Sequence, residues 1–442
     1  MYKTLSLVCM SLILAGCQIT QDTEPMARPE LALVSSPEKL QSLDDWLKLA
    51  LSYNPTLNQA KEREVQASLA LANSNAAQLP DLKLALDHSR RKTNAALANG
   101  NNLTLSFSWE LDWLGKLDDS EQQAVMAYEQ AKQASFQSEQ IALKQVSVAF
   151  LTMIQTQTLL DLYEKRAALL GQQLQMLEEN YQLGLTSALD VYLARNNVAS
   201  EQSRVVSQKQ ALVQTFSQLQ IAAGVKSTQG ELTPAMPTFN AANYDSLGSE
   251  MALNRPDVQA AWYELLASNK ASAASFKAQF PNFKLTASGG YSADEFKSLL
   301  KGDFLWSWVV NLSQPLFDGG RLANDYARSQ SNERIAKSKL QDTLNKAYGE
   351  IEVELANYHA IGERVGLAEV ALENARMAQD LSFSQYQKGL VNFTTVLDAQ
   401  KRALDAEVTK ITLSTEQRQQ IINLETALGR PLSALFSLNL ES

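Results

Sequence analysis

Reactive side chains are scarce in this sequence. Its 442 residues include two histidines, His88 and His359, far apart along the chain, and two cysteines, Cys9 and Cys17. Cys9 falls in an N-terminal apolar run that reads as a cleaved signal, so a mature chain keeps Cys17 alone. One thiol per subunit excludes an internal disulfide and a cysteine metal site. The Gly-Gly pairs at 289–290 and 319–320 lack the spacing of a phosphate loop. No grouping of His, Cys and acid suits catalysis, and a Ser-His-Asp arrangement around His88 or His359 has no support beyond the residues being there. The sequence predicts no cofactor, no metal and no enzyme activity. Basic charge is in deficit too: 39 Lys and Arg against 48 Asp and Glu leave a net charge of −9, which argues against a nucleic-acid partner.

Proline and glycine are nearly missing from residues 117–181, where Gly171 is the only member of either type. What fills the stretch is a heptad seam. Val146, Met153, Leu160, Ala167, Leu174 and Tyr181 recur every seventh residue, with Ala149, Thr156, Tyr163, Leu170 and Leu177 interleaved. This is a coiled-coil pattern. Lys144, Asp161, Glu164, Lys165 and Arg166 rule out a membrane span. At 1.5 Å per residue the helix is about 95 Å long, a rod that a globular domain of this size cannot house.

The first residues carry an address. Lys3 gives a positive start, Leu5 to Leu14 an apolar run too short to span a bilayer, and Leu14-Ala15-Gly16-Cys17 closes it, so residues 1–16 are expected to be a cleaved signal. Leu-Ala-Gly-Cys resembles the bacterial lipobox, in which the cysteine (here Cys17) is lipidated and becomes the mature N-terminus. A plain signal peptide containing a cysteine is the alternative. A polar tail, 17–41, follows.

The remainder is written twice. Asn54-Pro55 returns as Arg255-Pro256 and Leu79-Pro80-Asp81-Leu82 as Phe280-Pro281-Asn282-Phe283, both 201 positions on. Ser108 returns as Ser313, Tyr181-Gln182-Leu183-Gly184 as Tyr386-Gln387-Lys388-Gly389, and Gly224 as Gly429, all 205 positions on. Two constant offsets indicate a tandem duplication, the second copy having gained four residues between Leu285 and Ser313. The expected division is a first repeat at 42–224, a connector at 225–250, a second repeat at 251–429 and a tail at 430–442. Ser42 opens a helix with a capping box, and Asn54-Pro55 interrupts it.

After Pro80 the period becomes two. Leu82, Leu84 and Leu86 alternate with polar residues; Arg90 to Asn102 is polar; alternation resumes from Leu103 to Leu111. This predicts a hairpin over 81–112 with strands of about ten residues, and its counterpart over 282–314. Trp109, Trp113, Trp306 and Trp308 lie in or beside these strands. Strands with one apolar face and aromatics near their ends suit a transmembrane barrel. A soluble sheet over a core is the alternative, but neither copy supplies a partner dedicated to covering that face. Each hairpin feeds a long helix (117–181, 322–386) that ends at a tip glycine, Gly184 or Gly389, suited to a left-handed cap, and a returning helix follows (188–223, 394–428). Two short helices stacked end to end can flank one long helix along its length. The connector and the segment after Pro431 then belong near the middle of the rod. Four strands cannot close a barrel and an edge cannot stay open in lipid, so several copies must share the sheet.

In order and in duplicate, Leu79-Pro80-Asp81-Leu82, Arg255-Pro256-Asp257-Val258, Gln314-Pro315-Leu316-Phe317-Asp318-Gly319-Gly320 and Tyr386-Gln387-Lys388-Gly389 leading to Val396-Leu397-Asp398-Ala399-Gln400 resemble the TolC family of outer-membrane efflux channels. The lipobox and tail resemble its lipoprotein (OprM/NodT-like) branch, with Gln18 after the cysteine fitting outer-membrane sorting. The resemblance implies a mainly α fold with a transmembrane β-barrel: a homotrimer giving four strands per subunit to a twelve-stranded barrel, above a coiled-coil tunnel of helices through the periplasm. It implies a passive conduit for small molecules, drugs or metal ions, joined to an inner-membrane pump by a periplasmic adaptor and seated in outer-membrane lipid. A type I secretion duct and a lipid-anchored periplasmic spacer or adaptor are the alternatives. It also implies a periplasmic gate near the tips. Asp190 sits where the family's first-repeat gate aspartate sits and Asp398 matches the Val-Leu-Asp-Ala motif, while the second repeat has Thr395 where its own aspartate is usual. Tyr386, Arg195 and Lys401 would link neighbouring helices, with Thr394 grouped beside them. Both aspartates read equally well as first-turn residues favoured by the helix dipole.

Overall fold

In the computed structural model, residues 33–34, 42–92, 97–227, 236–237, 239, 244 and 249–436 are described. The signal segment, Cys17 and most of the tail at 17–41 lie outside them. Within that tail, β1 (Leu33–Val34) pairs in parallel with β4 (Lys226–Ser227). A ladder made of backbone bonds needs no side-chain periodicity, so the pattern of residues could not announce it.

Helix α1 (Leu43–Tyr53) opens at Ser42, whose hydroxyl accepts from the Asp45 N–H at 3.3 Å while the Asp45 carboxylate accepts from the Ser42 N–H. Pro55 holds Asn54 extended, with ψ 118°, and so ends the helix. The same Asn54 then caps α2 (Pro55–Ala76), its Oδ1 accepting from Thr56 N and Leu57 N at 2.9 and 3.0 Å.

The sheet follows the order β2 (Asp81–Lys92), β3 (Leu97–Leu111), β5 (Asn282–Ala293), β6 (Leu305–Ser313), antiparallel throughout. The two repeats meet at β3–β5. In register, Leu84, Leu105, Gly289 and Trp306 form one row, and Leu82, Phe107, Ala287 and Trp308 the next, so one face is apolar from edge to edge. The opposite face carries Lys83, Ser106, Ser288 and Ser307. The first hairpin departs from expectation, since most of the polar segment 90–102 is strand: Arg90 pairs with Asn99 and Lys92 with Leu97. Alternation marks only strand that has an apolar environment on one side; a ladder that continues into water carries no such signature.

Each β-hairpin feeds a helix of 67 residues, α3 (Lys116–Gln182) and α6 (Arg321–Gln387). The returning helices are α4 (Ala188–Ala223) and α7 (Phe393–Ala427), and α5 (Pro256–Lys277) is the second-repeat counterpart of α2. Along α3 the heptad seam is buried at Val146, Met153, Thr156, Leu160, Leu170 and Leu177, and Tyr181 at its end is exposed.

The short helices stack end to end through two matching joints. At the end of α4, Gly224 has φ +73°, and an added Cβ would lie 2.4 Å from the Tyr53 carbonyl oxygen. Only glycine permits that approach. Asn54 Nδ2 closes the joint by donating to the Ala222 carbonyl at 2.8 Å. In the second repeat Arg255 occupies the place of Asn54; its Nη1 donates to the Ala427 carbonyl at 2.9 Å, and Gly429 takes the tight position against its backbone. Ala427 is Ala222 moved by 205 residues, so the joint is duplicated with a different side chain in the same role.

The largest core lies around the first joint, where Trp46, Leu47, Leu143, Phe150, Leu219, Ile422 and Leu432 are buried together. The C-terminal segment adds to it through a short helix, α8 (Leu432–Leu435), with the Leu432 N–H donating to Gln140 Oε1 at 2.7 Å. From the connector, Val225 enters this core and Tyr244 a second one with Val258, Ile351 and Leu424.

Candidate functional site

Two regions face outward unsatisfied: the sheet and the helical tips. The sheet is open, with β2 and β6 at its edges and no strand pairing their outer backbone groups among the described residues. Its apolar face is uncovered: Leu82, Leu84, Leu105, Trp306, Trp308 and Leu312 are all exposed. No described helix is long and apolar enough to cross a membrane, and the one short helical turn set against the sheet, Phe296–Lys301, lies beside β3 and β5. Where the sheet meets the helices, Trp109 Nε1 donates to the Gln78 carbonyl at 2.9 Å and Trp113 Nε1 to the Pro281 carbonyl at 3.1 Å. Amphipathic indoles at such a boundary have one end for lipid and one for polar partners. Asp119 is buried at the head of α3 and pairs with Lys277 at 2.6 Å and Lys270 at 3.4 Å, bonding α3 to α5 just below the sheet. Asp318 starts α6: backbone N–H groups of Leu322 and Gly320 hold its carboxyl below the usual 3.8.

At the far end, Gly184 and Gly389 adopt φ +74° and +72°. The next N–H in each case reaches back five residues, Leu185 to Asn180 and Leu390 to Gln385, both at 2.9 Å. These are Schellman caps, one per repeat. The two tips pack on each other through Leu177, Val191, Ala194, Phe393 and Val396.

The residues expected at a gate are distributed unevenly around that cluster. Tyr386 packs against Phe393 with tilted rings whose centres are 5.3 Å apart, and its hydroxyl lies 3.2 Å from Thr186 Oγ1. Thr186 in turn donates to Asp190 Oδ2 at 3.1 Å, so the tyrosine hydroxyl must donate to the threonine. This chain of hydrogen bonds ties the second repeat to the first. Arg195 pairs with Glu178 at 2.7 Å, linking α4 to α3 within one hairpin. Asp398 pairs with Arg402 at 2.8 Å on the same exposed face of α7, the carboxylate lifting the Arg402 pKa. Lys401 and Thr394 are exposed, and Lys401 meets no carboxylate among the described residues. The dipole reading needs correcting for one aspartate. Asp190 is a first-turn residue capped by Ser187, but Asp398 lies in the second turn of α7, whose first turn has no acid. Thr186 went unnoticed in the sequence because a lone hydroxyl before a helix carries no distinguishing pattern.

A second polar group, also unannounced, lies deeper. Arg166 on α3 pairs with the nearly inaccessible Glu201 of α4 at 3.5 Å and donates from Nη1 to the Gln400 carbonyl of α7 at 2.9 Å. Gln400 Nε2 donates to Gln173 Oε1. Burial pulls the guanidinium pKa down and Glu201 opposes it. No grouping of His, Cys, Asp and Glu that could hold a metal occurs among the described residues.

Comparison with known proteins assigns this architecture. Residues 46–225 and 247–430 match the outer membrane efflux protein family, one block on each repeat. The chain is 28% identical over 338 residues to the probable efflux pump outer membrane protein SepC of Pseudomonas putida, covering 76% of this chain and 70% of the relative. It is 26% identical to the probable outer membrane lipoprotein SilC of Salmonella typhimurium, over 74% of this chain and 71% of that one. The cation efflux system protein CusC of Escherichia coli K12 is 23% identical over 95% of this chain and 98% of its own length. A solved CusC structure shares the fold with a TM-score of 0.81, at 21% identity, over 88% of this chain and 92% of that one. With both repeats matched end to end, the chain belongs to the outer membrane efflux protein family.

Proposed function

We propose that three copies of this chain close their sheets into one twelve-stranded barrel across the outer membrane and join their helices into a tunnel below it. The observation that carries this reading is the sheet: four strands, apolar on one face and polar on the other, with both edges open. In lipid each unpaired backbone group costs several kcal/mol, so only a closed barrel is admissible there. The channel is a passive conduit. An inner-membrane pump supplies energy, and a periplasmic adaptor meets the helical tips around Gly184 and Gly389. Cys17 carries lipid that anchors each subunit, as the lipoprotein name of one relative supports. Small molecules are the cargo; the relatives' names point to efflux pumps and to cations.

The gate belongs at the tips. Rings of Asp190 and Asp398, three each, favour cations; the Tyr386–Thr186 link restrains the two hairpins until an adaptor separates them, and the Arg195–Glu178 pair stiffens the first hairpin. Heat-resistant trimers in purified outer membranes test the reading. A lipid-anchored spacer would instead leave the membrane as a monomer after mild detergent, with no protected barrel.

A further inference from the structure

The internal duplication fixes more than the number of strands per subunit; it fixes how one subunit's sheet joins the next. The two offsets read from the sequence hold for the strands residue by residue. Asp81 opposite Ser108 becomes Asn282 opposite Ser313, and Ala85 opposite Thr104 becomes Thr286 opposite Val309, shifts of 201 on the first strand and 205 on the second. The joint between the repeats, β3 on β5, is therefore a template. Its counterpart is β6 on the β2 strand of the next copy, the two strands left at the edges.

We propose that subunits join through this one register: Ser313 opposite Ala85 of the next copy, Leu312 opposite Leu86, Asn311 opposite Asp87, and Leu316 opposite Leu82. Each pair is a β3–β5 pair carried over by the same two offsets; Ser108 opposite Thr286 gives the first and Leu111 opposite Phe283 the last. The inference rests on the proposed closed barrel and goes further by naming the seam.

Three further observations agree with it. Strand β3 runs three residues past its partner β2, and Trp109, Glu110 and Leu111 are paired by β5 alone. The matching residues Gln314, Pro315 and Leu316 have no strand partner among the described residues, and Leu316 and Phe317 are 95% and 92% exposed, the most exposed large apolar residues of those described. The proposed register gives this overhang a strand. Second, the faces match: Leu312 and Leu316 meet leucines on the apolar side, Ser313 and Asn311 meet Ala85 and Asp87 on the polar side. A slip of one residue would put every side chain on the wrong face. A slip of two would keep the faces, and only the repeat excludes it. Third, the register would set Trp308 and Trp306 opposite Arg90 and Lys92 of the next copy, residue types that pair favourably across strands. A head-to-tail joint of this kind closes into a ring, whereas β2 on β2 or β6 on β6 would stop at two copies.

Paired cysteines test it, because the mature chain offers no thiol besides Cys17. Ser313→Cys with Ala85→Cys, oxidised in isolated outer membranes, should convert most of the monomer band on a non-reducing denaturing gel into covalently linked subunits. Ser313→Cys with Lys83→Cys, or with Asp87→Cys, should link at least tenfold less. Asn311→Cys with Asp87→Cys reads the same register if the first pair disturbs assembly. Each single variant should give none; a linked dimer from one alone would reveal a like-with-like seam and overturn the proposal. So would preferential linkage at a displaced pair, or none at any pair, while heat-resistant oligomers persist. If the parent chain forms no such oligomer, the closed-barrel reading itself has failed, which the same gel distinguishes.

Discussion

The Tyr386 hydroxyl holds the two repeats together at the tip through one weak contact. Its bond to Thr186 is neutral and partly exposed, worth about 1 kcal/mol net. In one subunit that is a minor restraint; repeated on three subunits that open together it shifts the closed state by on the order of a hundredfold. Tyr386→Phe, which removes only the hydroxyl, is expected to raise single-channel conductance or open probability and to leave the amount of assembled channel unchanged. Asp190→Ala with Asp398→Ala is expected to lower cation preference, measured as a reversal-potential shift under a salt gradient. The two residues should contribute unequally. Asp190 accepts a hydrogen bond from Thr186, whereas Asp398 already faces Arg402, which offsets its charge. Arg166 and Glu201 behave differently again. Removing the arginine alone leaves a carboxylate buried without its cation, at a cost of about 3–5 kcal/mol. Arg166→Ala should therefore lower the thermal midpoint markedly, and Arg166→Met with Glu201→Leu should recover most of it.

The elements depend on their joints. Gly224→Val brings a Cβ to 2.4 Å from a backbone oxygen at a positive φ, so it is expected to separate α2 from α4 and to reduce assembled protein severalfold, read from the heat-resistant band. Asn54→Ala removes an N-cap and the bond to Ala222, a loss of about 1–2 kcal/mol. Much of this layer was legible in the residues. The two offsets, the glycines at tips and joints, and the change of period after Pro80 each have a local cause that leaves a local mark. What escaped has causes that are not local. The first-hairpin strands run through a polar segment because their partner strand does, β1 needs only backbone, and α8 is a helix only because a core waits for Leu432. The site was legible to a similar degree. Tyr386, Asp190 and Arg195 sit at real contacts, but their partners Thr186 and Glu178 came into view only once the hairpins were packed, and Lys401 makes no ion pair that the fold describes.

At the scale of the whole molecule, a single chain is an unfinished object. Its sheet has two open edges and a bare apolar face, and its second long helix leaves Leu367, Val370, Met377 and Leu381 exposed. In the proposed channel both deficits are repaired by copies of itself in an outer membrane, the place named for the relatives of this family. The account stands on that closure, and planar-bilayer recording of the purified, heat-resistant oligomer tests it most directly. Discrete, uniform current steps with cation preference, raised by Tyr386→Phe, are the predicted result. A folded oligomer that inserts into the bilayer yet passes no current in any variant would contradict it.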